Sequence, residues 1–244
     1  MESKFLKVAF VSLSAVVAFS SCDKDDDDNG GFNNMVQDNT ITAVVENGNN
    51  YNDKIDTVKI RAWDENTSSY KTLASTDYSN GGFTLQLPAT VSDHYLYELF
   101  GDDEIPEGVS VSNLDVKTLD EEIGAYQSDS EYSIGEFYHG TKDWYGMLIY
   151  VDGDVNVTGS FTETEYDEYD DKTYTEKIKY NVHLKKGWNI AYAKETEKGT
   201  LREYEVSSQV PSGAKWYFDD LYSQEYAPSS QAKKAPFFSK VKIR

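Results

Sequence analysis

Cysteine is all but missing from this 244-residue chain: Cys22 is the only one, so no intrachain disulfide can staple the fold and no thiolate cluster can hold a metal. Histidine is nearly as scarce. His94, His139 and His183 lie far apart with no paired zinc-ligand spacing, and His183 sits between Val182 and Leu184, which face the other side of a strand. Basic residues are few, 23 against 43 acidic ones, giving a formal net charge of −20. That balance argues against nucleic acid and anionic headgroups as partners, because both need clustered Lys and Arg. It favours solubility and mutual repulsion at a crowded surface. The chain also lacks a nucleophile elbow, a phosphate-cradling glycine loop and a zinc-protease helix. With 43 carboxylates, paired acids arise everywhere and carry no specific signal of glycosidase chemistry. No catalytic residue, cofactor or metal is therefore assigned, and a non-enzymatic protein is expected.

What the chain does have is aromatic area. Its 19 Tyr, 11 Phe and 4 Trp supply enough apolar surface to build a core, which excludes a disordered chain. Frequent Tyr and Thr with modest Leu and Ala favour strands, and the patterning agrees. Thr40 to Val45 reads as a first strand, followed by turn residues Asn47 to Asn50. Val58, Ile60 and Ala62 alternate with Thr57, Lys59 and Arg61, the period of a half-buried strand. Tyr70 to Ser75 is another candidate strand. Asn80-Gly81-Gly82 is a turn leading into alternating Phe83, Leu85 and Leu87, and Pro88 ends that run. Residues 88–130 carry little periodicity, although Val109 to Leu114 reads as a short strand.

From Trp144 onward the pattern is cleaner. Met147 to Val151 is an apolar run, Asp152-Gly153-Asp154 a turn, and Val155, Val157, Gly159 and Phe161 alternate. Tyr174 to Leu184, Trp188 to Ala193 and Leu201 to Val206 follow, joined by Lys185-Lys186-Gly187 and Glu197-Lys198-Gly199. Trp216 to Phe218 and Phe237 to Ile243 read as late strands. No βαβ period, long amphipathic helix or internal repeat is present. The expected fold is all-β: a small antiparallel β-sandwich over residues 39–130, then an antiparallel meander over 131–244 closing as a sandwich or partial barrel.

The first 38 residues have a different character. Lys4 and Lys7 precede an apolar stretch from Val8 to Phe19, then Ser20, Ser21 and Cys22, the order of a secretory signal peptide over residues 1–21. A cysteine directly after small residues resembles a bacterial lipoprotein cleavage site. The resemblance implies that Cys22 becomes the acylated first residue, carrying several chains such as palmitate, as stable anchoring requires more than one. Removing residues 1–21 would leave the chain one charge more negative than −20. Asp23, Lys24, Asp25, Asp26, Asp27 and Asp28 resemble the surface-export signal of Bacteroidota lipoproteins. The implied address is the outer membrane, facing the cell exterior. Residues 22–38 are polar and Asn/Gly-rich and read as an acidic flexible tether.

Several strand-plus-turn phrases resemble a family of Bacteroidales surface lipoproteins whose function is not established: Ile41 to Gly48, Tyr51 to Val58, Gly82 to Pro88, Tyr150 to Gly159 and Leu184 to Asn189. The first half also resembles transthyretin-like or carboxypeptidase-regulatory-like β domains, an analogy of fold alone.

Four aromatics, Trp144, Tyr145, Trp216 and Tyr217, are candidates for a platform on which sugar rings stack. Trp63 and Trp188 are expected in the core, where most aromatics of a sandwich lie. Tyr166 and Tyr169 flank an acidic hairpin tip (Glu165, Asp167, Glu168, Asp170, Asp171) and are expected to be exposed. That tip and Asp152-Gly153-Asp154 could each offer oxygens to calcium, but Asp-Gly turns and charged tips are ordinary hairpin devices, and no EF-hand spacing is present. Asp56-Thr57-Val58 resembles a Bacteroidota O-glycosylation acceptor, with Thr57 as the modified residue. The expected function is a binding or accessory module recognising a glycan or a surface protein. The alternative is a structural, fimbria-like component that assembles through edge strands.

Overall fold

A computed structural model describes residues 35–100, 105–128, 130–167 and 171–220. The signal segment, Cys22, Asp23 to Asp28, Glu168, Tyr169, Asp170 and Phe237 to Ile243 lie outside those residues. Within them the chain is all-β and sandwich-like. The strands are β1 (Thr40–Val44), β2 (Thr57–Asp64), β3 (Ser69–Asp77), β4 (Gly82–Gln86), β5 (Tyr97–Glu98), β6 (Val109–Val111), β7 (Lys117–Glu121) and β8 (Ile123–Tyr126). They continue with β9 (Gly135–Gly140), β10 (Tyr145–Val151), β11 (Val155–Asp167), β12 (Lys172–Leu184), β13 (Gly187–Lys198), β14 (Leu201–Ser207) and β15 (Lys215–Asp220).

A large sheet runs β3-β2-β8-β9-β10-β13-β14-β12-β11-β6, with β15 on β9 and β7 on β10. Its path ends at β3 and β6, so it does not close into a barrel. A separate two-stranded sheet, β1 with β4, supplies Ile41, Ala43, Phe83 and Leu85 to the same core as Val58, Ile60 and Ala62 of β2. Residue 130 falls between β8 and β9, which pair directly. The late strand β15 also reaches back to the early ones, since Trp216 bridges Val45 and its carbonyl accepts the Glu46 N–H at 2.8 Å.

Two cores share a wall made of β10 and β13. Leu148, Tyr150, Trp188, Ile190 and Tyr192 face one core, while Ile149, Val151, Ala191 and Ala193 face the other. This double burial accounts for the continuous apolar run Met147 to Val151, because a strand covered on both faces has no polar parity to display.

The connection after β12 departs from a simple meander. β11 and β12 form one long hairpin and β13 and β14 another, but β12 and β13 are not neighbours. Instead β14 lies beside β12 and parallel to it, with Asn181 opposite Ser207 and Lys179 opposite Glu205. The apolar strand β13 gains more by docking on β10, in the wall between the two cores, than by folding back on half-exposed β12. The turn Lys185-Lys186-Gly187 therefore carries the chain across rather than closing a hairpin. Asp154 holds that crossing by accepting the Lys186 N–H at 2.8 Å and the Lys185 ammonium at 3.1 Å.

Candidate functional site

The candidate platform residues do not share a surface. On β15 the side chains alternate. Trp216 and Phe218 turn into the core, where Trp216 is 5 % exposed and packs on Phe83 at 5.9 Å and His139 at 5.3 Å between centroids. Trp216 is therefore a core residue, sealed by β1, β4 and β9, and cannot stack a ligand. Tyr217 turns outward and stacks on Tyr138 at 5.4 Å, which stacks on Tyr145 at 4.8 Å. This ladder crosses β15, β9 and β10 because those strands are adjacent, with Tyr217 directly opposite Tyr138. Tyr145 donates to Glu136 at 2.9 Å. Burial pushes the Glu136 carboxyl upward, the Tyr145 hydrogen bond draws it back, and Asp219 adds to the rise. Burial likewise lifts the Tyr138 phenol to about 12.

Of the platform candidates, Trp144 lines a cleft. It closes the loop between β9 and β10, in which the Thr141 hydroxyl accepts the backbone N–H of both Asp143 and Trp144 at 3.2 Å. The loop is tight: a Cβ on Gly140 would stand 2.1 Å from the Trp144 carbonyl oxygen, so only glycine fits. Lys194 reaches over the indole at 5.9 Å. Half-buried Trp144 thus walls an open cleft of about 610 Å³. Asn181, Glu205 and Ser207 form the wall from β12 and β14, and Gln209, Val210 and Pro211 form the rim that follows β14.

Hydrogen bonds organise that wall. His183, half-buried between Asn181 and Asn156, stands 3.3 Å and 2.9 Å from their amide oxygens. Glu205 pairs with Lys179 at 3.1 Å, and the Ser207 hydroxyl accepts the Gln209 N–H at 3.0 Å. The cleft therefore offers one flat apolar ring, two amides, hydroxyls, the carboxylates of Asp143 and Glu205 and the ammonium of Lys142, groups that can meet a polyol with apolar ring faces. Among the described residues no group of three or more His, Cys, Asp or Glu side chains is placed to hold a metal ion.

Other expected sites fall as follows. Trp188 is buried, and its indole N–H donates to the Pro88 carbonyl at 2.9 Å. Trp63, expected in the core, is 47 % exposed, because it shares the outward parity of Lys59 and Arg61 rather than that of Val58 and Ile60. Tyr166 is exposed and donates to Asp171. Thr57 does not suit O-glycosylation: β2 is flanked on both sides by β3 and β8, and the Thr57 hydroxyl is buried there. In the Asp152-Gly153-Asp154 turn, Asp152 accepts the Lys117 N–H at 2.9 Å while Asp154 is held by Lys185 and Lys186. These donors hold the Asp154 carboxyl below its ordinary value, the Lys186 N–H most strongly. Both acids act as turn locks.

No family model, curated protein or solved structure matches the chain. Asn181, Glu205, Ser207 and Gln209 were not legible as site residues in the sequence. Asn181 shows only the exposed parity of β12, and its meeting with Ser207 depends on the parallel pairing of β12 with β14.

Proposed function

We propose that this protein is a lipoprotein anchored to the outer membrane through acylated Cys22 and displayed outward, and that its folded body binds glycan without catalysis. The observation that carries the binding reading is the cleft at Trp144. A half-exposed indole there faces Asn181, Ser207 and Gln209 across a volume of about 610 Å³, within the size of small-ligand sites. Sugar rings pair apolar faces with equatorial hydroxyls, and the indole and the amide-hydroxyl wall match those two features. The anchor is supported by the order Lys4, Lys7, apolar Val8 to Phe19, Ser20, Ser21, Cys22 and the acidic residues after it.

A glycan array probed with the mature protein tests the cleft. Binding should be lost in Trp144→Ala and weakened roughly tenfold in Asn181→Ala, as expected when one ring contact or one buried hydrogen bond is removed. Both variants should keep the wild-type circular dichroism spectrum. Binding that survives both substitutions would exclude this cleft. Labelling with radioactive palmitate tests the anchor, since Cys22→Ser should abolish incorporation and release the protein from the membrane fraction.

A second reading, assembly through edge strands, is favoured by β3. It is nine residues long and ends the described sheet with one side unpaired among those residues. Concentration-dependent association abolished by a proline within Lys71 to Ser75 would support it. Monomeric behaviour at high concentration would exclude it.

A further inference from the structure

The outward face of β2 and β3 carries an arrangement different from the cleft. Lys59, Arg61 and Trp63 follow one another on the same side of β2, with outward neighbours about 6.6 Å apart along a strand. Tyr70 stands directly opposite Trp63 in β3, and the two rings meet edge to face at 5.1 Å. Trp63 is 47 % exposed and Tyr70 55 %. The Arg61 guanidinium lies 5.2 Å from the Tyr70 ring and 5.9 Å from Tyr126, while the Lys59 ammonium lies 4.7 Å from Tyr126. Arg61 donates to the backbone carbonyl of Glu131 at 2.6 Å and also hydrogen-bonds Tyr126.

The two cations stand together on one strand face, whereas Lys54 over Tyr51 and Lys194 over Trp144 are single cations set against rings. Elsewhere Lys117, Lys177, Lys179, Lys185, Arg202 and Lys215 each pair with a carboxylate. Lys59 and Arg61 form no ion pair among the described residues and lie over aromatic rings instead. In a protein with 43 acidic residues, such a pair keeps its charge available to an outside anion.

We infer that this face is a second binding site, separate from the Trp144 cleft, for a saccharide that carries carboxylates. Trp63 and Tyr70 supply apolar area for a sugar ring, and Lys59 and Arg61 supply the counter-charge for uronate groups. β2 is paired by β3 along its length and by β8 over Thr57 to Lys59, which fixes the spacing of Lys59, Arg61 and Trp63 on this face. The net charge of −20 repels densely charged polyanions and membranes, whereas one carboxylate per ring meets the two cations at short range, inside the screening length.

Calorimetric titration of the mature protein with an oligogalacturonate, alongside the same oligomer fully methyl-esterified, tests the inference. The acidic oligomer should bind and weaken with added salt, and the ester should not bind. Arg61→Gln should weaken binding roughly tenfold or more, Trp63→Ala should do likewise, and Trp144→Ala should leave it unchanged. This last control separates the face from the cleft, so either site can fail without the other. No binding of the acidic oligomer, equal binding of the ester, or loss in Trp144→Ala would each overturn the inference. So would comparable binding to phosphatidylglycerol vesicles, which would make the face a membrane contact.

Discussion

On β15, β9 and β10 the outward tyrosines Tyr217, Tyr138 and Tyr145 stack beside Glu136 and Asp219, whereas on β2 and β3 the outward rings Trp63 and Tyr70 stand among Lys59 and Arg61. Both faces are aromatic rows on the same sheet, yet their neighbours assign them different work. Beside carboxylates, a tyrosine spends its hydroxyl as a donor, as Tyr145 does to Glu136 and Tyr204 to Glu195 at 3.2 Å. Those contacts knit strands together and raise the proton affinity of the two phenols, while the Tyr145 bond lowers that of Glu136. On β2 and β3 the ring faces of Tyr70 and Tyr126 are the partners of the cations, and Trp63 and Tyr70 stay exposed. The charge next to a ring, more than the ring, separates a structural row from a binding row.

The comparison breaks most visibly if the tryptophans exchange roles. Trp216→Ala should cost about 3–5 kcal/mol of stability, the usual loss for emptying a large core site. Trp63→Ala should cost under about 1 kcal/mol, as expected for an exposed strand residue outside the core. Urea denaturation of both variants checks this, and equal losses would mean that the β2 face is structural too.

The arginines give the next contrast. Arg202 is buried, lies 3.5 Å from the Tyr174 ring, and forms ion pairs with Glu176 at 3.6 Å and Glu197 at 3.5 Å. Arg202→Ala removes the cation paired with the buried Glu176 carboxylate and should cost about 3–5 kcal/mol. Arg61→Ala removes a solvent-facing cation–π contact and should cost about 0.5–1 kcal/mol. A thermal melt of each variant tests the difference.

The smallest effect sharpens the acidic side. Burial raises the Glu136 carboxyl above its ordinary 4.5, so the folded state holds that proton more tightly than the unfolded chain. The resulting penalty is absent below the unfolded value, where both states are protonated. It grows as pH rises and is complete above the folded value. Glu136→Gln keeps an acceptor for Tyr145 and removes the penalty. Its melting temperature should match the wild type in acid and exceed it at neutral pH. Parallel curves across pH would show that the Glu136 environment is not desolvated.

Much of this was legible locally. Alternation located β2, β4, β11 and β12, and the turns at Asn80-Gly81 and Asp152-Gly153-Asp154 sit where their residues place them. The parity of Lys59 and Arg61 also pointed Trp63 outward, although large aromatics are expected to fill cores. Residues 117–126 were opaque because Ile123, Gly124, Ala125 and Tyr126 are all buried in β8 and show no alternation. For Trp144 and Trp216 the strand pattern was visible, but the occupant of each face was not. Trp216 is covered by β1 and β4, more than a hundred residues earlier in the chain.

Composition, turn chemistry and period-two patterning determined that this chain forms strands and roughly where they lie, and the single Cys22 excludes an intrachain disulfide. These are properties of neighbours a few residues apart, and short-range sterics and burial suffice to set them. Tertiary structure alone decided that β14 lies parallel to β12, that β10 and β13 separate two cores, and that Trp216 is sealed while Trp144 borders a cleft. Each of those outcomes depends on which distant strand gains most by docking on a given edge or face, an energy that no local segment carries.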